Sequence, residues 1–138
     1  MWTCPRCGRA FANRNQSHAC GMWTLDDHLR AATPGVAELI QGFVALVEEL
    51  GPVELAPTKT RIGFKARMTF AALMPKRRWL DGHVVLARRR ESPRFRRIET
   101  FSPRNHLHAF RLTTPQDVDA EVRDCLAEAY AVGMRRHL

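Results

Sequence analysis

The stretch Arg61-Ile62-Gly63-Phe64-Lys65-Ala66-Arg67-Met68-Thr69-Phe70-Ala71-Ala72-Leu73-Met74 decides the fold class. Ile62, Phe64, Ala66, Met68, Phe70, Ala72 and Met74 alternate with Arg61, Gly63, Lys65, Arg67 and Thr69. Period-two alternation belongs to strands, with one face in a core and here a basic face outward. A turn near Arg67 to Thr69 would split the run into a hairpin. Trp79 to Ala87 reads as a further strand, and Phe95 to Phe101 and His106 to Leu112 as two more. Ser92-Pro93 and Ser102-Pro103 separate them.

Helical periodicity takes over on both sides of these strands. Val36, Leu39, Ile40, Phe43, Val44, Val47 and Leu50 form one apolar stripe of a four-turn helix, stopped by Gly51-Pro52. Near the C-terminus Thr114 reads as an N-cap, Pro115 as the first helical residue and Asp117 as a capping-box acid. Val118, Val122, Cys125, Leu126, Ala129 and Val132 give that helix its buried stripe. Helix, strands and helix predict an α+β domain over residues 35–138. Its small antiparallel sheet carries an N-terminal and a C-terminal helix on one face. Residues 22–34 read as a linker with a short helix, capped by Thr24, opened by Asp26 and Asp27 and ended by Pro34.

A chain of 138 residues has room for one core and a small appendage. Residues 1–21 are that appendage. They hold almost no apolar residues for a core, so something other than burial must fold them. Cys4, Cys7, His18 and Cys20 stand there in a C-x2-C-x10-H-x-C pattern. Three thiolates and one imidazole suit a closed, tetrahedral, structural Zn²⁺ site, which predicts a zinc-knuckle finger. The H-x-C pair is shorter than the spacing of the ordinary finger helix. His28, on the short helix beyond, is a rival fourth ligand. Cys125 lies on an apolar helical stripe and reads as a core residue.

The net charge of +8 is unevenly spread. Residues 59–104 hold 14 Lys/Arg against Asp81, Glu91 and Glu99, a net +11, whereas the remainder is −3. Such a block is a footprint for a polyanion; the plainer reading is a solvated face. Lys59, Arg61, Lys65 and Arg67 are the candidate nucleic-acid or anion-binding row, at steps of two along one strand. About half of Arg77, Arg78, Arg88, Arg89, Arg96 and Arg97 are expected to join that face.

His106 and His108 share a strand face with Phe110 and Leu112 and read as satisfied structural histidines. Trp2, Trp23 and Trp79 could stack on bases, but core or interface packing is the more common use of such rings and is the reading taken. No phosphate loop, dinucleotide turn, nucleophile elbow or HExxH motif is visible, and no catalytic constellation stands out. No apolar run is long enough to span a membrane, and the N-terminus lacks the features of a secretory signal, so a cytoplasmic location is expected. These features favour a non-enzymatic accessory protein that binds nucleic acid. The alternatives are an adaptor that docks a protein through its finger, or a domain holding a small anionic ligand. The partner and the oligomeric state stay open.

Lys59-Thr60-Arg61-Ile62-Gly63-Phe64, Met68-Thr69-Phe70-Ala71, Arg94-Phe95, His108-Ala109-Phe110-Arg111-Leu112, Asp117-Val118-Asp119 and Glu128-Ala129-Tyr130 are distinctive together. They resemble the successive signatures of the bacterial domain-of-unknown-function family 5655, over roughly Gly35 to Leu138. Trp2-Thr3-Cys4-Pro5-Arg6-Cys7-Gly8 with Asn15-Gln16-Ser17-His18-Ala19-Cys20 resembles the zinc-finger-like extension of one branch of that family. The resemblance implies a short cytoplasmic protein or a module fused to others. It supplies no agreed catalytic residues.

Overall fold

The computed structural model describes residues 2–3, 10–14 and 23–136. Strands β1 (Trp2–Thr3) and β2 (Ala10–Phe11) pair antiparallel as a small ribbon. Helices α1 (Leu25–Ala31) and α2 (Pro34–Leu50) follow. The main sheet comprises β3 (Glu54–Pro57), β4 (Ile62–Lys65), β5 (Thr69–Pro75), β6 (Leu80–Leu86), β7 (Arg97–Ser102) and β8 (Asn105–Leu112). A 3-10 turn (Pro115–Asp117) then leads into α3 (Ala120–Gly133). All neighbours in the sheet are antiparallel, in the order β3-β4-β5-β6-β8-β7. The chain is therefore α+β.

Helices α2 and α3 cover one face of the sheet. The expected stripe of α2 is buried, with Ile40, Phe43 and Val47 fully so, and it meets Ile62, Phe64, Leu73, Leu80, Leu86 and Leu112 from the strands. Phe43 packs its ring on Phe64 and Phe110, with centroids 5.4 and 6.2 Å away. Helix α1 is more than a linker element, because Leu25, Leu29 and Ala32 pack against this core. Its Thr24–Asp27 capping box is formed reciprocally. Gly51 ends α2 at φ 146°, where a Cβ would lie 2.5 Å from the Tyr130 hydroxyl, which itself donates to the Pro52 carbonyl.

The alternation from Arg61 to Met74 holds only as far as the turn. Lys65 pairs with Thr69 and Phe64 with Ala71, so Phe70 is an extra residue in a bulge. The extra residue reverses the phase. Ala71 and Leu73 face the helices, while Ala72 and Met74, expected on the core side, fall on the opposite face. Phe70 still reaches the core and meets Tyr130 edge-on at 5.5 Å. The Gly133 carbonyl accepts from both Arg67 and Met68 N–H at 2.9 Å, pinning α3 to this turn.

Two further boundaries differ from the sequence expectation. Strand β3 is an additional edge strand, too short to show a pattern of its own. The C-terminal helix begins at Ala120 rather than Pro115. The Thr114–Asp117 box closes a 3-10 turn, and Asp119 caps α3 by accepting from Val122 N–H. Cys125 is buried in the core, as its position on the stripe requires.

Candidate functional site

The face of the sheet away from the helices is the candidate site. Register places Ala56, Gly63, Ala72, His83, Ala109 and Arg97 in one row across all six strands. Side chains of residues two apart share a face, so Arg61 and Lys65 flank Gly63, and Asp81 and Val85 flank His83. The floor is low because Gly63, Ala72 and Ala109 are small. Arg61 and Lys65 are exposed and make no ion pair among the described residues.

His83 stands in the middle of this row, half-buried. Burial pushes its pKa down, and the charges of Arg61 and Arg97 push it further, against a smaller opposite pull from Glu99. Burial and the two nearby guanidinium groups thus favour the neutral imidazole. Sequence reading passed over His83, although the signal was available. Leu80, Gly82, Val84 and Leu86 alternate with it, which sets it opposite the core.

The cations nearer β7 are already committed. Arg97 Nε lies 2.8 Å from Glu99, and Arg111 Nε lies 2.9 Å from Asp81. The Arg111 guanidinium also stacks over Trp79, 4.2 Å from the ring centroid. Asp81 is held below the usual carboxylate range: burial raises it, but Arg111 and neighbouring groups outweigh burial. A cleft of about 380 Å³ opens here, lined by Met74, Asp81, Arg96, Arg97 and Arg111 among others.

The structure distributes the four residues of the candidate row along β4. Arg61 and Lys65 lie on the helix-free face. Lys59 sits in the β3–β4 turn at one end of the sheet, and Arg67 in the β4–β5 turn at the other. Of the six arginines expected partly to join them, Arg96 and Arg97 line the open-face cleft. Arg88 and Arg89 lie beyond the end of β6 instead, and Arg77 and Arg78 in the β5–β6 turn. Arg88, with Arg90 and Arg94 from the same connection, pairs with Glu128, Asp119 and Glu121 of α3 and its cap.

His108 is a structural residue. Its Nδ1–H donates to the His106 carbonyl, and its Nε2 accepts from Arg90 N–H at 2.9 Å. The neutral ring is fully satisfied, and burial lowers its pKa. His106 is held in the same way, donating from Nε2 to the Pro103 carbonyl with Thr100 Oγ1 at its Nδ1. His28 donates from Nε2 to the Thr58 carbonyl at 2.6 Å, so that nitrogen is taken. Cys4, Cys7, His18 and Cys20 lie outside the described residues. Among the described residues no group of three His, Cys, Asp or Glu is placed to hold a metal, and no helix is long and apolar enough to cross a membrane.

No curated protein and no solved structure matches the chain. The model of a domain of unknown function, DUF5655, matches residues 25–133, from the first turn of α1 to the end of α3, and the chain belongs to that family.

Proposed function

We propose that the chain is a non-enzymatic accessory protein. Its helix-free sheet face binds the phosphate backbone of nucleic acid, and its N-terminal segment is a structural zinc finger. The observation that carries the first part is the state of Arg61 and Lys65. Both are exposed on an open face, beside a low floor, and neither is engaged by a carboxylate among the described residues. Flexible cations over a shallow surface suit phosphate contacts, which position a duplex or strand without reading bases.

The cleft by β7 favours a second reading, a small anionic ligand held by Arg96, Arg97 and Arg111. Two of those three cations already carry a carboxylate partner. An entering anion would have to displace it, which ranks this reading second.

A salt-dependent titration with duplex DNA, single-stranded DNA and RNA tests the proposal. Each neutralised phosphate releases counterions, so four to six contacts give a log-log slope of roughly −3 to −5. Arg61→Ala with Lys65→Ala should weaken all sequences alike and make the slope shallower by about two. Binding that ignores salt would overturn the reading, and saturation by phosphate alone would favour the cleft.

For the finger, the donor chemistry of Cys4, Cys7, His18 and Cys20 fits Zn²⁺. Thr3 and Ala10 are paired, on either side of Cys4 and Cys7. A bound zinc would supply folding free energy that this segment cannot obtain from burial. Purified protein should hold close to one equivalent, lost in Cys20→Ser and retained in Cys125→Ala. Equal zinc content in Cys20→Ser and wild type would refute the site.

A further inference from the structure

The sheet face does not account for Trp23, Lys76 or Arg77, which meet at one end of the molecule. Antiparallel order puts the β3–β4 and β5–β6 turns at the same end of the sheet. Helix α1 and the α1–α2 junction close over that end. His28 donates to the Thr58 carbonyl in one turn, and Thr33 Oγ1 donates to the Arg77 carbonyl in the other at 3.2 Å. These bonds employ the backbone of the turns and leave their side chains for a groove of about 540 Å³. It is lined by Trp23, His28, Lys59, Pro75, Lys76 and Arg77 among others, and none of its described lining residues is a carboxylate. The volume falls in the range of about 300–1,000 Å³ usual for ligand sites.

Two features specify the occupant. Trp23 is 38% exposed, one of two large apolar side chains left so among the described residues, and its ring is propped by His28 at 6.0 Å. Three cations surround it. Two acids near this end have partners of their own: Asp27 caps α1 and pairs with Arg30, and Asp81, which also feels Lys76, is bonded to Arg111. An aromatic face next to uncompensated cations recognises an unstacked base with its phosphates. A duplex cannot present that base, because its faces are covered by its neighbours.

We infer that this groove is a single-strand subsite, in which a base stacks on Trp23 and the flanking phosphates meet Lys59, Lys76 and Arg77. The inference rests on the sheet-face reading and extends it. Lys59 lines the groove from the β3–β4 turn, two residues before Arg61, so the same strand can run from the sheet face into the groove.

The full chain, a short oligothymidylate, a duplex of equal length and tripolyphosphate make the test. Oligothymidylate should quench the tryptophan emission and tripolyphosphate should not. Trp23→Phe should retain binding by anisotropy and lose that quench. Trp23→Ala should lower oligothymidylate affinity about tenfold, the size expected for one stacked base, with the salt slope and duplex affinity unchanged. Lys59→Ala with Lys76→Ala should make the oligothymidylate slope shallower by about 1.4. An undiminished quench in Trp23→Phe, or wild-type affinity in a Trp23→Ala protein with unchanged circular dichroism, overturns the subsite. The sheet face fails separately: Arg61→Ala with Lys65→Ala would then leave duplex binding untouched while the Trp23 quench persists.

Discussion

The arginines of the β6–β7 connection and the cations of β4 come from one +11 block and end in different states. The connection must pass β8, because β7 pairs with β8 and not with β6. It passes on the helix side, where Phe95 stacks edge-on against His108 at 4.8 Å. There α3 faces it with acids. Arg88 and Arg90 share Glu128, and Arg94 reaches Glu121, Asp119 and the Asp117 carbonyl. The hydrogen bond from Arg94 holds the Glu121 carboxyl below its usual range. Arg61 and Lys65 are exposed on a sheet surface that no helix covers among the described residues. Like charge becomes architecture where an acidic helix stands opposite; on β4 only Glu54 lies across from Lys65, and neither Arg61 nor Lys65 forms an ion pair among the described residues. Self-repulsion among available cations costs stability, so such a cluster calls for a reason outside the fold.

The sharpest way to break this contrast is to attack the connection at its anchor. His108→Ala should cost about 3 kcal/mol in chemical denaturation, since it leaves a cavity and strands the Arg90 N–H. Next in size, Arg94→Ala should cost about 2 kcal/mol. Its side chain is only 17% exposed, and its loss leaves Asp119 and Glu121 facing each other. A double-mutant cycle with Glu121→Ala should recover part of that loss. If Arg94→Ala unfolds like wild type, the connection is not held by these pairs.

Much of this arrangement was legible in the residues. The stripe from Val36 to Leu50 fixed α2, and the alternation at β6 and β8 fixed the faces of those strands, including which side His108 takes. The order of β7 and β8 was not legible, since nothing local distinguishes a meander from a strand that crosses its neighbour. The bulge at Phe70 was hidden because Phe70-Ala71-Ala72-Leu73-Met74 is apolar at every position, so either phase fits. Arg94 and Arg61 look alike in sequence. Only the return of α3 over the connection, a contact spanning 25 to 27 residues, separates them.

Acid supplies a milder perturbation, smaller than Arg94→Ala. His108 and His83 have pKa values lowered from the ordinary 6.5, chiefly by burial. The unfolded chain then binds more protons than the folded one below about pH 6.5, so stability falls as pH drops through that value. His108→Gln keeps an acceptor for Arg90 N–H and removes the proton site, so its stability should vary less with pH between 7 and 5. Polyanion binding should move the opposite way, strengthening as His83 gains charge beside Arg61 and Arg97. An unchanged pH profile in His108→Gln would mean that other groups set the acid limb.

The smallest expected effect carries most weight for the comparison. Arg61→Ala with Lys65→Ala should change unfolding free energy by less than about 0.5 kcal/mol, as exposed substitutions without partners do. At low ionic strength the double variant should gain slightly, because the remaining cations repel one another less, and added salt should erase that gain. Arg94→Ala should show a loss under both conditions, since salt screens a half-buried pair far less. Urea denaturation of the three proteins at two salt concentrations reads all of this directly. A double variant as damaged as Arg94→Ala would make the β4 row structural, and the reason for its exposure on an open face would have to lie in the fold itself.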